Sequence, residues 1–378
     1  MRPFDILCLT PSLWGDRVRR LQHLMRAAAR THRVVVLEQA ANITEDAPLL
    51  ACPVGSGDGV RVFRPADRYW NSAQGRVRTS LRAILGASER EQLAMWVDSP
   101  RVLSLVPVAG QVTLVCDLAN PVGIGAKVLA RADLMLAGGT ASYEASRHLH
   151  PRSHLVPHGV DPEHFAPART GLPEPADQAR IPFPRVGFWG NINDGIDFGL
   201  LDAVAARLPD VHFVMIGSIE RLGRERATSR PNVHWLGSRP YVDLPAYIAG
   251  WDAAVLPFAR NEVTRFLSPP QIAEFLAAGR SVVSTTLRDV QHPWAASGLV
   301  RLADTPDSFA AAIETARREK AGAWLSTVDR YLEALSWRST WAGIEHLING
   351  VMAHKGAVVP VERRVRRMSP LQPVSVLH

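Results

Sequence analysis

Short apolar runs alternate with amphipathic segments along the first half of the chain. Runs of this kind are typical of strands that are buried on both faces of a parallel sheet. They lie at residues 4–10 (FDILCLT), 33–37 (RVVVL), 112–116 (VTLVC) and 134–137 (LMLA), with a weaker strand at 60–63. Helical patterns at 17–30 and 142–149 separate them. This rhythm predicts an α/β domain over residues 1–168.

The same rhythm starts again after a proline-rich stretch. Residues 169–184 have no apolar period, and we interpret them as an interdomain linker. Strands are predicted beyond it at 185–188, 212–216, 233–236 and 253–256, and helices at 198–208, 307–318 and 323–335. The pattern therefore predicts a second parallel sheet over 185–336, then a helix over 337–352 and a flexible basic tail over 353–378.

The segment from Ser268 to Thr286 combines a helix start, a helix end and a strand. Ser268 is predicted to cap a helix, with Pro269 at its first position and Gln271 completing an S-x-x-Q capping box. The run SVVST at 281–285 is predicted to be a buried strand. A loop, a helix start and a strand in nineteen residues favour a binding element.

Glu274 stands among apolar neighbours in the first two turns of this predicted helix. Ile272, Phe275 and Leu276 share one helical face beside it. A carboxylate in this position could accept hydrogen bonds from two vicinal hydroxyls, such as those of a ribose. Spacing alone allows a solvated surface glutamate equally well.

The stretch SPPQIAEFLAAGRSVVST, at residues 268–285, resembles the donor-site signature P-x-K-x-x-E-Y-L-A-x-G-x-P-V-V. That signature belongs to the GT-B glycosyltransferases of family 4 and its relatives, the group 1 glycosyltransferases. The resemblance implies two Rossmann-like α/β domains facing across a cleft, with a C-terminal helix that crosses back to the first domain. It implies a nucleoside-diphosphate sugar as donor substrate, most commonly UDP-linked, and no separate cofactor. Gln271 stands where the family has lysine.

Two further segments resemble donor-binding loops of this family. The glycine-rich turn at 186–195, with Gly190 and Asn191, resembles the turn that approaches the donor diphosphate. Glycine permits close approach of backbone to a ligand, and the N–H groups of a following helix favour anions. The loop at 236–240 resembles the one that holds the base, which implies a contact from Arg239 or Pro240.

The missing lysine requires another cation for the diphosphate. Arg265, just before Ser268, is our first choice and Arg260 our second, because arginine can bind a phosphate with two parallel hydrogen bonds. Either could instead be an ordinary exposed arginine. The chain contains no D-x-D pair, so we expect transfer without a metal ion.

The acceptor hydroxyl must lose a proton, which a carboxylate of the first domain could take if the enzyme inverts configuration. Relatives show an acidic residue at the end of the strand equivalent to 112–116, often as D-x-x-D. The two positions here are Asp117 and Asn120, and asparagine cannot accept that proton. We predict Asp117 as the catalytic base, with Asp16, at the end of the first strand, as second choice.

Charge is positive overall and unevenly distributed. The net charge is +7, and 43 residues are basic, of which only three are lysine. Residues 1–168 and the last 24 residues carry the excess, and 75–85 reads as a basic amphipathic helix. Such a surface could contact an anionic membrane or a lipid-linked acceptor, although arginine richness also follows from a GC-rich genome and the helix could be an ordinary surface helix. The arginines are too dispersed to predict nucleic-acid binding.

Cysteine usage and hydropathy predict a cytoplasmic protein. Cys8, Cys52 and Cys116 are odd in number and unclustered, which favours reduced thiols. The N-terminal residues lack a cleavage pattern, and no apolar run reaches eighteen residues. We therefore expect any membrane association, at the inner face of the plasma membrane, to be peripheral.

These observations favour a glycosyltransferase of the hexosyltransferase type. It would move a sugar to a hydroxyl of a glycan or lipid-linked acceptor, in the synthesis of surface polysaccharide or another glycoconjugate. Gln271 and Asn120 leave open an inactive relative that binds nucleotide sugar as a partner or scaffold. A nucleotide-sugar epimerase of the same two-domain build is a further alternative.

Overall fold

Two parallel β-sheets, one in each half of the chain, form the framework. The computed structural model describes residues 4–14, 20–38, 49–52, 59–65, 92–100, 102, 112–117, 129–319 and 322–358. The first sheet contains β1 (Asp5–Thr10), β2 (Arg33–Glu38), β3 (Leu49–Cys52), β4 (Val60–Pro65), β5 (Leu93–Val97), β6 (Val112–Asp117), β7 (Leu134–Ala137) and β8 (Ser153–Leu155). The second contains β9 (Arg185–Trp189), β10 (His212–Ile216), β11 (Val233–Gly237), β12 (Ala253–Leu256), β13 (Val282–Ser284) and β14 (Val300–Leu302).

Helices connect these strands and cover the faces of both sheets. In the first half they are α1 (Arg20–Ala29), α2 (Thr140–Ser146) and α3 (Pro162–Phe165). In the second half they are α4 (Phe198–Arg207), α5 (Arg221–Arg226), α6 (Leu244–Ala249), α7 (Gln271–Ala277), α8 (Pro306–Ala316), α9 (Gly322–Glu333) and α10 (Trp337–Val358). The alternation of strands and helices confirms the predicted α/β class.

Both sheets reverse their strand order once. The first has the order β3-β4-β2-β1-β5-β6-β7-β8, with only β3 antiparallel to its neighbour among the described strands, and the second has the order β11-β10-β9-β12-β13-β14. The direction of winding changes between β1 and β5 and between β9 and β12. In open α/β sheets, ligands bind beyond the carboxyl ends of the strands at such a switch point. Each half therefore offers one candidate crevice.

Helix α10 returns from the second half and packs on the first sheet. Trp341, Ile344, Ile348 and Met352 belong to one buried apolar cluster with residues of β1, β2 and α1. Their spacing of three or four residues places them on one face of the helix. This packing confirms the predicted crossing helix, which continues to Val358, six residues into the segment predicted as a tail.

The linker is ordered against the second domain. Gln178 is fully buried, where its amide donates to the Tyr247 carbonyl at 2.9 Å and accepts from the Trp251 indole at 2.9 Å. The Asp177 carboxylate pairs with Arg239 and accepts from the Tyr247 hydroxyl. The proline spacing on which the linker prediction rests did not reveal these contacts.

Some sequence expectations miss elements or cannot be compared with the structure. Strands β3, β5 and β14 were not predicted, and the predicted helix at 75–85 lies outside the described residues. Cys8 and Cys116 are buried free thiols, and burial raises the pKa of Cys116 to about 12. Among the described residues, no helix combines the length and the apolar character needed to span a bilayer.

Candidate functional site

The glycine-rich turn lies at the switch point of the second sheet. Gly190 follows β9 directly, and both Gly190 and Gly217 have a φ of 151°. The two backbones touch, because a Cβ added at Gly217 would lie 1.7 Å from the Gly190 carbonyl oxygen. Asn191, beside Gly190, is exposed. Glycine at 190 and 217 is therefore required for this close approach of two strand ends.

Gln271 reaches the same turn from the start of α7. A Cβ built on Gly190 would lie 2.8 Å from the Gln271 Nε2 atom, so this side chain packs directly on the turn. The Gln271 Oε1 atom is buried and has no hydrogen-bond partner among the described residues. The structure thus brings two of the predicted donor-binding residues together and leaves one buried polar atom unpaired beside them.

The predicted capping box is wrong. Helix α7 begins at Gln271, its N-cap is Pro270, and no side chain caps it. Ser268 instead lies beside Asp289 and Gly139, since a Cβ on Gly139 would come within 2.8 Å of the Ser268 Cβ. A contact between the two domains therefore replaces the local cap that the sequence pattern predicts.

Glu274 is buried one turn further along α7. The residue is 7% exposed, and its Oε1 atom accepts a long hydrogen bond of 3.4 Å from the Tyr241 hydroxyl. Within the described part of the chain, Glu274 Oε2 and the nearby Trp189 Nε1 have no hydrogen-bond partner. Burial raises the pKa of Glu274 well above its ordinary value, and the Tyr241 and Trp189 side chains only partly oppose this effect. A vicinal diol could satisfy such a carboxyl group.

Tyr241 connects Glu274 to the first domain. Its ring stacks on His164 at 4.6 Å and meets the edge of His23, on α1, at 5.5 Å. His23 in turn stacks on Trp337 at 4.7 Å. Burial lowers the pKa of His23 to about 4, with smaller effects from Arg26 and His164. Glu274 therefore lies one side chain away from the contact between the two halves.

A second interdomain contact lies beside Ser268. The Asp289 carboxylate accepts a hydrogen bond of 2.7 Å from the Ala141 backbone N–H at the start of α2, and Arg288 pairs with Glu144 at 2.6 Å. Burial raises the pKa of Asp289. These contacts join the segment that follows β13, beside Ser268, to α2, which begins just beyond the carboxyl end of β7 in the first domain.

Asp117 is held by an arginine of α1. Both of its carboxylate oxygens accept from the Arg20 Nε atom, at 3.0 and 3.1 Å, and Arg20 Nη1 donates to the Pro157 carbonyl at 3.0 Å. The Arg20 Nη2 atom is buried and has no partner among the residues that the structure describes. Burial and the Arg20 charge lower the pKa of His158 to about 3. Asp16 and Asn120 lie outside the described residues.

Arg20 and His23 were missed as site residues. They stand in an arginine-rich helix, where nothing in the local pattern separates a side chain at the junction from one in solvent. The useful signal would have been position, because α1 begins just beyond the carboxyl end of β1 at the first switch point.

The three candidate arginines differ in their surroundings. Arg265 is exposed, with a side-chain exposure of 63% and a loose contact of 3.4 Å to Glu262. Arg260 pairs with Asp304 at 3.3 Å. Arg239 pairs with Asp177 of the linker and donates to the Tyr247 hydroxyl of α6, and these contacts raise the pKa of Arg239. Pro240 is exposed. Of the three arginines, Arg265 therefore has the weakest contacts with other residues.

Comparison with known proteins supports the fold and the second domain. The family described as "Glycosyl transferases group 1" matches residues 183–318. A Bacillus subtilis (strain 168) protein, assigned as the teichuronic acid biosynthesis glycosyltransferase TuaH, is 26% identical over 190 residues. That alignment covers 48% of this chain and 48% of the relative. The chain thus aligns with about half the length of this curated relative.

Solved structures with similar folds cover nearly the whole chain. A glycosyltransferase from Rickettsia africae has a TM-score of 0.68 at 12% identity and covers 93% of this chain and 99% of its own. A trehalose-phosphate synthase (UDP-forming) from Burkholderia xenovorans has a TM-score of 0.68 at 12% identity and covers 92% of this chain and 100% of its own. Anabaena HepE in complex with UDP and glucose has a TM-score of 0.63 at 16% identity and covers 92% of this chain and 100% of its own. Residues 183–318 of this chain therefore match the group 1 glycosyltransferases, and the chain as a whole has the GT-B fold.

Proposed function

We propose that this protein is a glycosyltransferase that moves a sugar from a nucleoside-diphosphate sugar to an acceptor hydroxyl. The observation that carries the proposal is the packing of Gln271 on Gly190 at the switch point of the second sheet, with the buried Glu274 one turn further along α7. Two unpaired buried oxygens, Gln271 Oε1 and Glu274 Oε2, lie on one face of α7 there. Buried polar atoms are normally paired, so the arrangement favours a polar ligand.

The donor would lie along α7, with its ribose at one end and its diphosphate at the other. Glu274 would accept hydrogen bonds from the ribose hydroxyls, and the turn at Gly190 and Asn191 would approach the diphosphate. Arg265, with Arg260 as second choice, would supply the positive charge that the family's lysine supplies elsewhere. The loop at 236–240 would hold the base. The UDP in the HepE complex supports uridine as that base.

The acceptor side belongs to the first domain. Arg20 fixes the Asp117 carboxylate at the carboxyl end of β6, where it would take the proton of the attacking hydroxyl. Asp16 remains our second choice. The name of the Bacillus relative, a teichuronic acid biosynthesis glycosyltransferase, supports a role in polysaccharide synthesis. We propose a glycan or lipid-linked acceptor for this chain, and a location at the cytoplasmic face of the membrane. Because the chain has no D-x-D pair, we propose that transfer continues in the presence of EDTA.

A thermal-shift panel of nucleotide sugars tests the donor. A ligand at 100 times its dissociation constant stabilises the folded state by about 2.7 kcal/mol, which such a panel resolves. A shift with UDP-sugars is the expected result, and no shift with any nucleotide sugar would remove the proposal.

Product analysis then separates transfer from the alternatives. Release of nucleoside diphosphate only when an acceptor is added supports transfer. Binding of the donor without release of nucleoside diphosphate supports the inactive relative. Two features favour this alternative: Asp117 is paired with Arg20, and glutamine stands at 271. A changed sugar without acceptor supports an epimerase.

A further inference from the structure

The guanidinium of Arg20 has one nitrogen more than its partners use. Its side chain is 11% exposed, its Nε atom donates to both oxygens of Asp117, and its Nη1 atom donates to the Pro157 carbonyl at 3.0 Å. The Nη2 atom is buried and has no partner in the part of the chain that the structure describes. Buried polar groups are normally paired, and a charged group left unpaired costs more than a neutral one. The hydrogen bond that this nitrogen lacks is one that a bound ligand could supply.

Arg20 lies beside the junction at which the donor helix α7 begins. A Cβ built on Gly138, which directly follows β7, would lie 4.0 Å from the Arg20 Cζ atom. The next residue, Gly139, meets the second domain, because its built Cβ would lie 2.8 Å from the Ser268 Cβ. Gln271, at the start of α7, follows Ser268 by three positions. Arg20 is thus one residue of backbone away from the contact that borders the proposed diphosphate site.

A second contact joins the same face of α1 to α7. His23 follows Arg20 by three positions and therefore lies on the same side of the helix. The ring centroids of His23 and Tyr241 are 5.5 Å apart, and the Tyr241 hydroxyl donates to Glu274 at 3.4 Å. This face of α1 therefore lies beside the proposed ribose site at His23 and beside the start of α7 at Arg20. A donor that lies along α7 would face the Arg20 guanidinium.

Charge favours the anionic part of that donor. The Nε2 atom of His158 would lie 3.4 Å from a Cβ on Gly138, and burial and the Arg20 charge lower the pKa of His158 to about 3. The imidazole is therefore neutral at pH 7, whereas Arg20 keeps its charge. The diphosphate is the charged part of the donor, and Gln271 brings no charge where the family has lysine. An arginine can hold a carboxylate and a phosphate at once, because its five N–H donors lie in one plane and point outwards.

We propose that Arg20 is a donor-binding residue, whose Nη2 atom donates to the diphosphate across the junction of the two domains. This inference rests on the proposed function, because it needs a nucleoside diphosphate along α7. The same guanidinium holds the proposed base, Asp117, through Nε and stabilises the negative charge of the departing diphosphate through Nη2. The first domain thereby supplies part of the charge that Gln271 lacks.

The test removes the Arg20 charge without leaving its partner ionised. Arg20→Gln alone would bury an unpaired Asp117 carboxylate and destabilise the first domain. Arg20→Gln combined with Asp117→Asn, the double variant, removes both charges. Asp117→Asn alone is its matched control, since it keeps Arg20. Circular dichroism checks that each variant is folded at the temperature of the titration.

Titrations followed by nuclear magnetic resonance measure the affinity for UDP and for uridine, which has the base and the ribose but no phosphate. We expect the double variant to bind UDP at least tenfold more weakly than Asp117→Asn does, about 1.4 kcal/mol, and to bind uridine equally well. Arg20→Lys combined with Asp117→Asn keeps a positive charge and should bind UDP more tightly than the double variant. A merely structural role of Arg20 would change the two affinities alike.

An arginine–aspartate pair at the other end of the first sheet gives a second control. Arg33 pairs with the buried Asp5 carboxylate where β1 and β2 begin. Arg33→Gln combined with Asp5→Asn removes a pair of the same kind from the same domain. It should leave the affinities for UDP and for uridine unchanged.

The outcomes separate this inference from the proposed function. Equal UDP affinity in Asp117→Asn and in the double variant would overturn the role of Arg20 and leave the proposed transfer intact. That result is expected if Arg20 faces an anionic acceptor instead. A loss of UDP affinity that uridine shares would also overturn it. If the unmodified chain binds no UDP, the proposed donor fails and this inference fails with it.

Discussion

Replacing Glu274 with glutamine should make the protein more stable at neutral pH while it weakens donor binding. The side chain is 7% exposed, its Oε2 atom has no partner in the described part of the chain, and its contact with Tyr241 is long at 3.4 Å. Burial raises the pKa of Glu274 well above its ordinary value. Glutamine keeps the shape and removes the ionisable group.

The direction of the pH effect follows from proton binding. An unfolded glutamate loses its proton near pH 4.3, whereas buried Glu274 holds its proton to a higher pH. Above pH 4.3 the folded state therefore binds more protons than the unfolded state, so the free energy of unfolding falls as pH rises. The glutamine variant lacks this loss, and its advantage should be near zero at pH 4 and grow towards pH 8.

The expected gain at pH 7.5 is about 1 to 3 kcal/mol, the usual cost of an unsatisfied buried polar group. For a domain of this size each kcal/mol moves the melting temperature by about 2 to 4 °C. Differential scanning calorimetry of both proteins at pH 4.5, 6, 7.5 and 9 measures the difference. Equal stability at pH 7.5, or a difference that does not change with pH, would refute the reasoning.

Glu319→Gln is the matched control, for which we expect a change in stability of the opposite sign. Hydrogen bonds from Arg301, the largest cause, and from Ser281 lower the pKa of Glu319. Its ionised form stabilises the folded state above the unfolded pKa, and this contribution is lost as pH falls through the lower folded pKa. The Glu319 variant should therefore be less stable than the unmodified protein at pH 7.5, with the difference shrinking in acid.

Donor binding supplies the other half of this prediction. If Glu274 accepts two ribose hydroxyls, Glu274→Gln should bind UDP at least tenfold more weakly, about 1.4 kcal/mol, in calorimetry. A carboxyl group with only a structural role would leave UDP affinity unchanged. A gain in stability together with a loss of affinity is the pattern of a binding site that costs the fold some stability.

Three further substitutions test other parts of the site. Arg265→Ala should weaken nucleotide-sugar binding at least tenfold, about 1.4 kcal/mol. The melting temperature should change little, because the side chain is 63% exposed. Unchanged affinity in calorimetry would remove Arg265 from the site. Asp117→Asn should lower turnover and also destabilise the protein, because the buried charge of Arg20 would lose its partner. The expected loss is about 3 to 5 kcal/mol in denaturant titrations. Full turnover would reject Asp117 as the base. Gly217→Ala should lower the free energy of unfolding by about 1 to 3 kcal/mol and weaken UDP binding, because the alanine Cβ would overlap the Gly190 carbonyl. Wild-type stability and affinity would show that the turn does not need this close contact.

Sequence periodicity predicted the framework of both domains well. The predicted bounds of β10 and β12 agree with the structure, and β9 and β13 agree within a residue or two. These strands are short apolar runs between glycines, prolines and helices, and burial on both faces determines their composition. Strand β5 was missed because it follows a long polar region, and β14 because it has only three residues with an arginine at its centre.

The first-domain part of the site was less predictable. Asp117 was chosen because relatives show an acidic residue at the end of this strand, and the structure has Asp117 as the last residue of β6. Its partner Arg20 is 97 residues away in sequence, in a helix with several other arginines. A side-chain pair between a helix and a distant strand leaves no local pattern, because β2, β3, β4 and β5 lie between α1 and β6 in the sequence.

The failed prediction at Ser268 shows how the donor helix is connected to the rest of the molecule. A serine followed by glutamine three residues later satisfies the local rule for a capping box, yet Ser268 lies beside Asp289, whose carboxylate binds the Ala141 N–H of the other domain. The pairing of the domains thus outweighs a cap worth about 1 kcal/mol. Gln271, which packs on the Gly190 turn, is only three positions after Ser268. The start of α7 therefore joins the two domains on one side and borders the proposed diphosphate site on the other, so a ligand that moves this segment would also change the contact between the halves.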